Sequence, residues 1–373
     1  MTAPFAADAA TGLPVDATAT AATAAREPCT LKQEIIALMR DFSIEKTPAE
    51  VASLRALPVE LTAGSRVYIT WIAGNEFTRT LRACARLREL GMQPVPHLAA
   101  REIADVGALD TLLAALQREA AVEHTLLVAG SMRAPLGRFD SSLPALASGL
   151  FERHGGRALG LAAHPEGSAD IKPAALADAL RAKNAHARTS PLHMHLVTQF
   201  CFDAAPLIDW ERRTRAAGNR LPVHVGLAGL ASLPTLLKYA RSCGVGASLS
   251  VLTRHAGRLF KLVSAVTPGE IVVALAAARM HDAQCLVERL HFFPFGSFDA
   301  TVAWAAAAAR GEFHLSRDQR DIVVGEIGSA RTPHSGKGVE LVLDVRDQRA
   351  WRPVSPVNYP GWTAGKAKRK VVP

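Results

Sequence analysis

The sequence predicts a (β/α)8 TIM barrel, flanked by a disordered N-terminal leader and a small C-terminal appendage. Three observations lead there. Short apolar runs alternate with helical patterns from about residue 30 to 305. Eight such runs can be counted, each nearly all-apolar, as strands covered on both faces should be. The eight repeats occupy about 265 residues, which suits a single barrel domain. A doubly wound sheet is the alternative, but no GxGxxG follows any predicted strand, so the usual dinucleotide fingerprint is missing.

The strands are expected at 43–45, 67–71, 94–98, 126–130, 159–163, 195–199, 222–225 and 290–293. Between them lie amphipathic stretches such as "TRTLRACARLRELG", whose closing Gly91 is a helix-stop signal. Pro94 and Pro96 exclude helix from the third run. "LPALASGLFERHG" reads as one helix between the fourth and fifth strands. The domain reading is a leader at 1–27, a catalytic barrel at 28–310, and an extension with a basic tail at 311–373. The leader is Ala/Thr-rich and lacks the basic start and Leu-rich core of a secretion signal.

Composition narrows the function classes. The chain has 373 residues, 49% of them hydrophobic, enough for a sizeable core. It contains no uncharged apolar run long enough to span a bilayer, so no membrane partner is expected. Five dispersed cysteines without a CxxC read as reduced intracellular thiols, and a cytoplasmic location is expected. The net charge of +9 comes partly from the tail "GKAKRKVVP", a solvated basic end; with 6% aromatic residues, no nucleic-acid partner is expected. An anionic small molecule would be drawn by the positive potential. A homo-oligomer is the expected assembly.

Function in a barrel of this kind is carried where strands end. Those ends supply Glu45, Thr70, His97, Gly130, Ser131, His164, Gln199, His224 and the run His291-Phe292-Phe293. A lone histidine at a strand end is more often structural, but polar residues at the same end of successive strands form a pattern. Glu45 is either an acid or a capping or ion-paired residue ahead of Thr47 and Pro48. Gln199 is either a ligand contact or a core amide satisfied by backbone; if its strand continues, Phe200 and Phe202 pack outward against the helices. His193 and His195 form an HxH without a third metal ligand, and "AGSMR" lacks the second glycine of a nucleophile elbow.

An ordered series of segments resembles the methylenetetrahydrofolate reductase family: "FSIEKTP", "VYITWIAGNEFTRT", "PVPHLAAR", "LLVAGS", "LAAHPEG", "LVTQFCFD", "HVGLAGLASLPTLLKYA" and "LHFFPFG". The resemblance spans roughly residues 40–300. It implies FAD at the mouth of the barrel, NADH or NADPH as hydride donor, and 5,10-methylenetetrahydrofolate as the substrate reduced to 5-methyltetrahydrofolate. It places the general acid at Glu45 and flavin contacts at Thr70, His97, Gly130, Ser131, Ala162, His164 and Lys183. Gln199 falls on the pterin contact, and Leu233 and Phe293 on groups over folate or nicotinamide. Ser131 stands where the family has an Asp, and His164 where it has a Tyr. Two other outcomes stay open: direct hydride transfer without FAD, and a folate-binding or methyl-transfer protein without reductase activity.

Overall fold

The computed structural model describes residues 30–74, 76–168, 170–242 and 266–325. The leader read at 1–27 and the basic tail lie outside the described residues. Eight strands pair in chain order and close into a barrel: β1 (Ser43–Lys46), β2 (Arg66–Ile69), β3 (Gln93–Ala99), β4 (His124–Val128), β5 (Ala158–Ala163), β6 (His193–Thr198), β7 (Val223–Ala228) and β8 (Val287–Phe293). All eight ladders are parallel, and β1 closes on β8 through Ser43↔His291 and Ile44↔Phe292.

The helices are α1 (Leu31–Met39), α2 (Pro48–Ala52), α3 (Phe77–Glu89), α4 (Val106–Ala120), α5 (Ser142–Leu146), α6 (Leu150–Arg153), α7 (Pro173–Ala187), α8 (Ala204–Ala216), α9 (Leu233–Ser242), α10 (Gly269–His281) and α11 (Phe298–Arg310). Local chemistry explains several starts. Thr30 and Gln33 form a capping box on α1, and Thr47 and Glu50 form one on α2, with Pro48 in the first turn. Two differences from the sequence reading stand out. The single helix expected before β5 is two, α5 and α6, because Gly149 takes φ +70 between them. The helix α10 was not singled out, since "IVVALAAARM" is apolar almost all round and shows no amphipathic period.

Alternation along each strand sorts side chains between two cores. Outward residues such as Ile44, Leu98, Leu127, Leu159, Leu196, Val225 and Phe292 join the helices in one large cluster. Inward apolar residues make a much smaller cluster of Tyr68, Val95, Leu126 and Val197. After β8, a two-stranded antiparallel hairpin of β9 (Phe313–Leu315) and β10 (Ile322–Val324) packs on α10 and α11. No described helix is long and apolar enough to cross a membrane.

The outer core is anchored at Phe292, fully buried, with edge-on contacts to Phe42 at 5.7 Å and Trp304 at 6.3 Å. Phe292→Ala is expected to lower unfolding free energy by about 3–5 kcal/mol. Denaturant unfolding checks this: the midpoint should fall with an unchanged slope.

Candidate functional site

Much of the barrel interior is polar. Barrels of this class usually fill that space with Val, Ile and Leu. Here Ser43, Glu45, Tyr68, His97, His195, His224 and His291 occupy inward positions on six strands, counted by the same two-residue period that turns Ile44, Leu98 and Phe292 outward.

Glu45 is the centre of the arrangement. Its side chain is 13% exposed, and Oε2 lies 3.5 Å from His291 Nε2 and 3.9 Å from His97 Nε2. Neither distance is a hydrogen bond. Burial drives the Glu45 carboxyl up to about 7, against a smaller pull downward from His97. The two imidazoles move the opposite way for the same reason: desolvation lowers His97 to about 4 and His291 to about 3. Near neutrality, a carboxyl that can hold its proton therefore sits between two uncharged imidazoles. The capping alternative for Glu45 fails, because Glu50 supplies the cap to Thr47 at 2.7 Å.

His291 is oriented from behind. Its Nδ1 is hydrogen-bonded to the Ser43 hydroxyl at 2.9 Å, which turns Nε2 toward Glu45. Tyr68 packs its ring on His291 at 4.4 Å and brings its hydroxyl to 3.5 Å from His195 Nε2. His195 in turn stacks on His224 at 3.9 Å. Among the described residues, five buried side-chain polar atoms have no hydrogen-bond partner. Four of them, on Glu45, Thr70, His97 and His291, belong to the carboxyl half of the barrel. Buried polar groups are normally satisfied, so this concentration marks a place where a polar ligand completes the bonding.

The remaining sequence-derived candidates are distributed unevenly around this centre. Gly130 follows β4 with φ +91, and a Cβ there would come within 2.9 Å of the Ala99 side chain. Ser131 next to it is exposed. His164 lies just past β5, where burial and then Lys183 lower its pKa to about 4. Lys183, 8% exposed, donates its ammonium to the Ala162 carbonyl at 2.6 Å, and desolvation lowers it to about 8. Gln199 is half-buried. Its Oε1 accepts from the Phe200 N–H at 3.1 Å, and its amide nitrogen has no partner among the described residues.

β6 ends at Thr198, and the expectation for Phe200 is corrected. Phe200 does not pack outward on the helices. It is buried against Phe293 at 5.4 Å and Phe295 at 5.0 Å, with Phe202 at 5.6 Å. Phe293 therefore stands within an aromatic group at the end of β8. Leu233, at the start of α9, packs with Phe202 and Phe295 on Ala228, Ala231 and Leu236. Gly226 lets β7 come close beneath this group: a Cβ would sit 2.4 Å from the Thr198 carbonyl and 2.8 Å from the Phe293 ring.

Four residues of this neighbourhood had no assigned role from sequence. Ser43, Tyr68 and His291 act only through contacts across the barrel. Glu102, in the 3-10 turn after β3, accepts from Trp71 Nε1 at 2.9 Å and lies beside Gly130. Its signal was present, a carboxylate three residues beyond the third strand, but the strand-end rule looks no further than the end itself.

These features define the class: a (β/α)8 barrel with an acid-bearing polar pocket at the carboxyl ends of its strands. No family model matches the chain. Among solved structures, an uncharacterized protein from Clostridium thermocellum that binds two copies of 5-methyl-5,6,7,8-tetrahydrofolic acid is similar over 75% of this chain and 99% of its own, with 14% sequence identity and a TM-score of 0.46. At that level the likeness carries nothing over to the site.

The raised Glu45 pKa has a sign that can be measured. Between about 4.5 and 7 the native state holds a proton that the unfolded chain has released, so stability falls as pH rises through that window. Glu45→Gln removes the effect. The variant is expected to be more stable than the parent by about 3 kcal/mol above pH 7, with the difference vanishing below about pH 4.5. Unfolding curves across pH check it; equal stabilities at pH 8 would refute the raised pKa.

Proposed function

We propose that the barrel reduces 5,10-methylenetetrahydrofolate to 5-methyltetrahydrofolate, with NADH or NADPH as the reductant. The observation that carries this reading is Glu45: buried, protonated near neutrality, and without a hydrogen-bond partner at the mouth. The reaction needs such a group. Protonation at N10 breaks the N10–methylene bond and leaves an N5 iminium ion. A hydride then adds to the methylene carbon to give the methyl group. Acid work near pH 7 requires a carboxyl shifted from about 4.3 toward neutrality.

His97 and His291 assist by staying neutral. A charged imidazolium beside Glu45 would hold it as carboxylate and withhold the proton. The free amide nitrogen of Gln199 suits a pterin acceptor, and the rings around Phe293 suit the flat faces of folate or nicotinamide.

FAD fits part of this site. Thr70 Oγ1 and His97 Nε2, both without partners among the described residues, would hold the flavin ring. Bound there, FAD would supply a ring that accepts and returns a hydride. Lys183 gives one of its three N–H donors to the Ala162 carbonyl and keeps two for the dinucleotide's diphosphate. The second reading is hydride passing directly from nicotinamide to folate.

Incubating the purified chain with methylenetetrahydrofolate and NADH or NADPH should yield methyltetrahydrofolate. Flavin absorbance in that preparation separates the two hydride routes. Glu45→Gln should lower folate turnover by roughly 10²-fold or more. A normal rate in that variant would overturn the assignment. Folate binding without turnover in the parent would instead indicate a binding or methyl-transfer protein.

Gln199→Ala should weaken folate binding by about 1–3 kcal/mol, the cost of a lost buried hydrogen bond. A titration of tetrahydrofolate against both proteins reads this directly. Unchanged affinity would assign Gln199 only its backbone contact.

A further inference from the structure

The end of the barrel opposite the mouth holds a cavity of about 460 Å³. That is within the size range of small-molecule sites, about 300–1,000 Å³. Its walls come from the α1–β1 connection, the α2–β2 loop, the start of β8 and the end of α11, and carry Arg40, Arg66, Arg289 and Arg310 against Asp41 and Glu60. Two of the four arginines are matched. Arg289 pairs with Asp41 at 3.1 Å and Glu288 at 3.3 Å, and Arg310 pairs with Glu312 at 2.7 Å.

The other two are not. Arg66 points inward at the start of β2, beneath the interior histidines. Among the described residues its one hydrogen bond is a long one of 3.5 Å to the Asp41 carbonyl. Arg289 repels it, while Asp41 and Glu288 attract it without forming an ion pair among the described residues. Arg40 has no ion pair or hydrogen bond among the described residues. A half-buried guanidinium offers five donors in a planar fork and is costly to leave without an anion. Barrel ends of this kind ordinarily serve stability, and packing alone gives no reason for a half-buried Arg66 without an ion pair on the wall of a cavity that the exposed Arg40 also lines.

We infer that this cavity binds a small dianion presenting phosphate or carboxylate oxygens, held by the Arg66 and Arg40 guanidiniums. The Arg fork matches two oxygens of either group. The site is separate from the mouth and stands whatever reaction the mouth performs.

The test is calorimetric titration of the full chain at low salt, with inorganic phosphate in one arm and succinate in the other. Saturable binding in either arm is expected, and the stronger arm identifies the ligand's chemistry. Arg66→Ala and Arg40→Ala should each weaken it about tenfold or more, the loss of a charge-assisted hydrogen bond. Arg40 is exposed, so its variant decides the matter if Arg66→Ala does not fold. Glu45→Gln should leave the affinity unchanged. No saturable binding of either probe at millimolar concentration, equal affinity in the folded arginine variants, or loss of binding in Glu45→Gln would each overturn the inference.

Discussion

The pairing of β1 with β8 is the constraint on which the rest depends. It closes the barrel, and closure removes the two edge strands that an open parallel sheet would leave unpaired. The same pairing sets Ser43 beside His291 in register. From there the two-residue period puts Glu45 inside, and the parallel run of β8 turns His291 toward it. The Ser43–His291 hydrogen bond at 2.9 Å crosses this seam and links residues 248 positions apart. Fold closure and the placement of the acid are thus one event.

Filling a barrel with imidazoles has a cost. Buried histidines lose hydration, and their lowered pKa values record it. The chain offsets that cost outside the barrel. The large cluster between strands and helices is apolar and continuous, whereas the inner apolar cluster has four fully buried members. Stability sits in the outer layer, and the inner layer is free to hold groups that pack poorly but do chemistry. Local departures from good packing at a site, supported elsewhere, are the expected signature of function.

The two ends of the barrel differ in electrostatic character. At the mouth, desolvation keeps the carboxyl and the imidazoles in their neutral forms, so that end carries little charge in its depth. At the opposite end, guanidiniums cannot shed their protons, and charge persists. Arg66 lowers the pKa values of His124, His195 and His224 from below. For these three histidines burial and a fixed positive charge act in the same direction, whereas burial is the main cause at His97 and His291.

The barrel itself was legible from the sequence, because its evidence is local. Each strand carries apolar residues on its outward face, and its neighbours in the chain include helix-stop or helix-excluding residues. Gly91 at the end of α3 and the prolines of β3 illustrate this. The strand-end rule also pointed to Glu45, Thr70, His97 and Gln199 without any knowledge of contacts. What it could not supply was anything decided by partners distant in the chain. The raised pKa of Glu45 depends on its burial among β2, β3 and β8. The roles of Ser43, Tyr68 and His291 exist only across the closed barrel. Phe200 joins Phe293 and Phe295 instead of the helices, a placement no periodicity reveals. The split between α5 and α6 lies at Gly149, whose left-handed backbone a glycine adopts freely. Sequence pattern determined which elements form and in what order; the pairing of β1 with β8 decided which side chains meet, because proximity across a barrel is set by register and not by spacing along the chain.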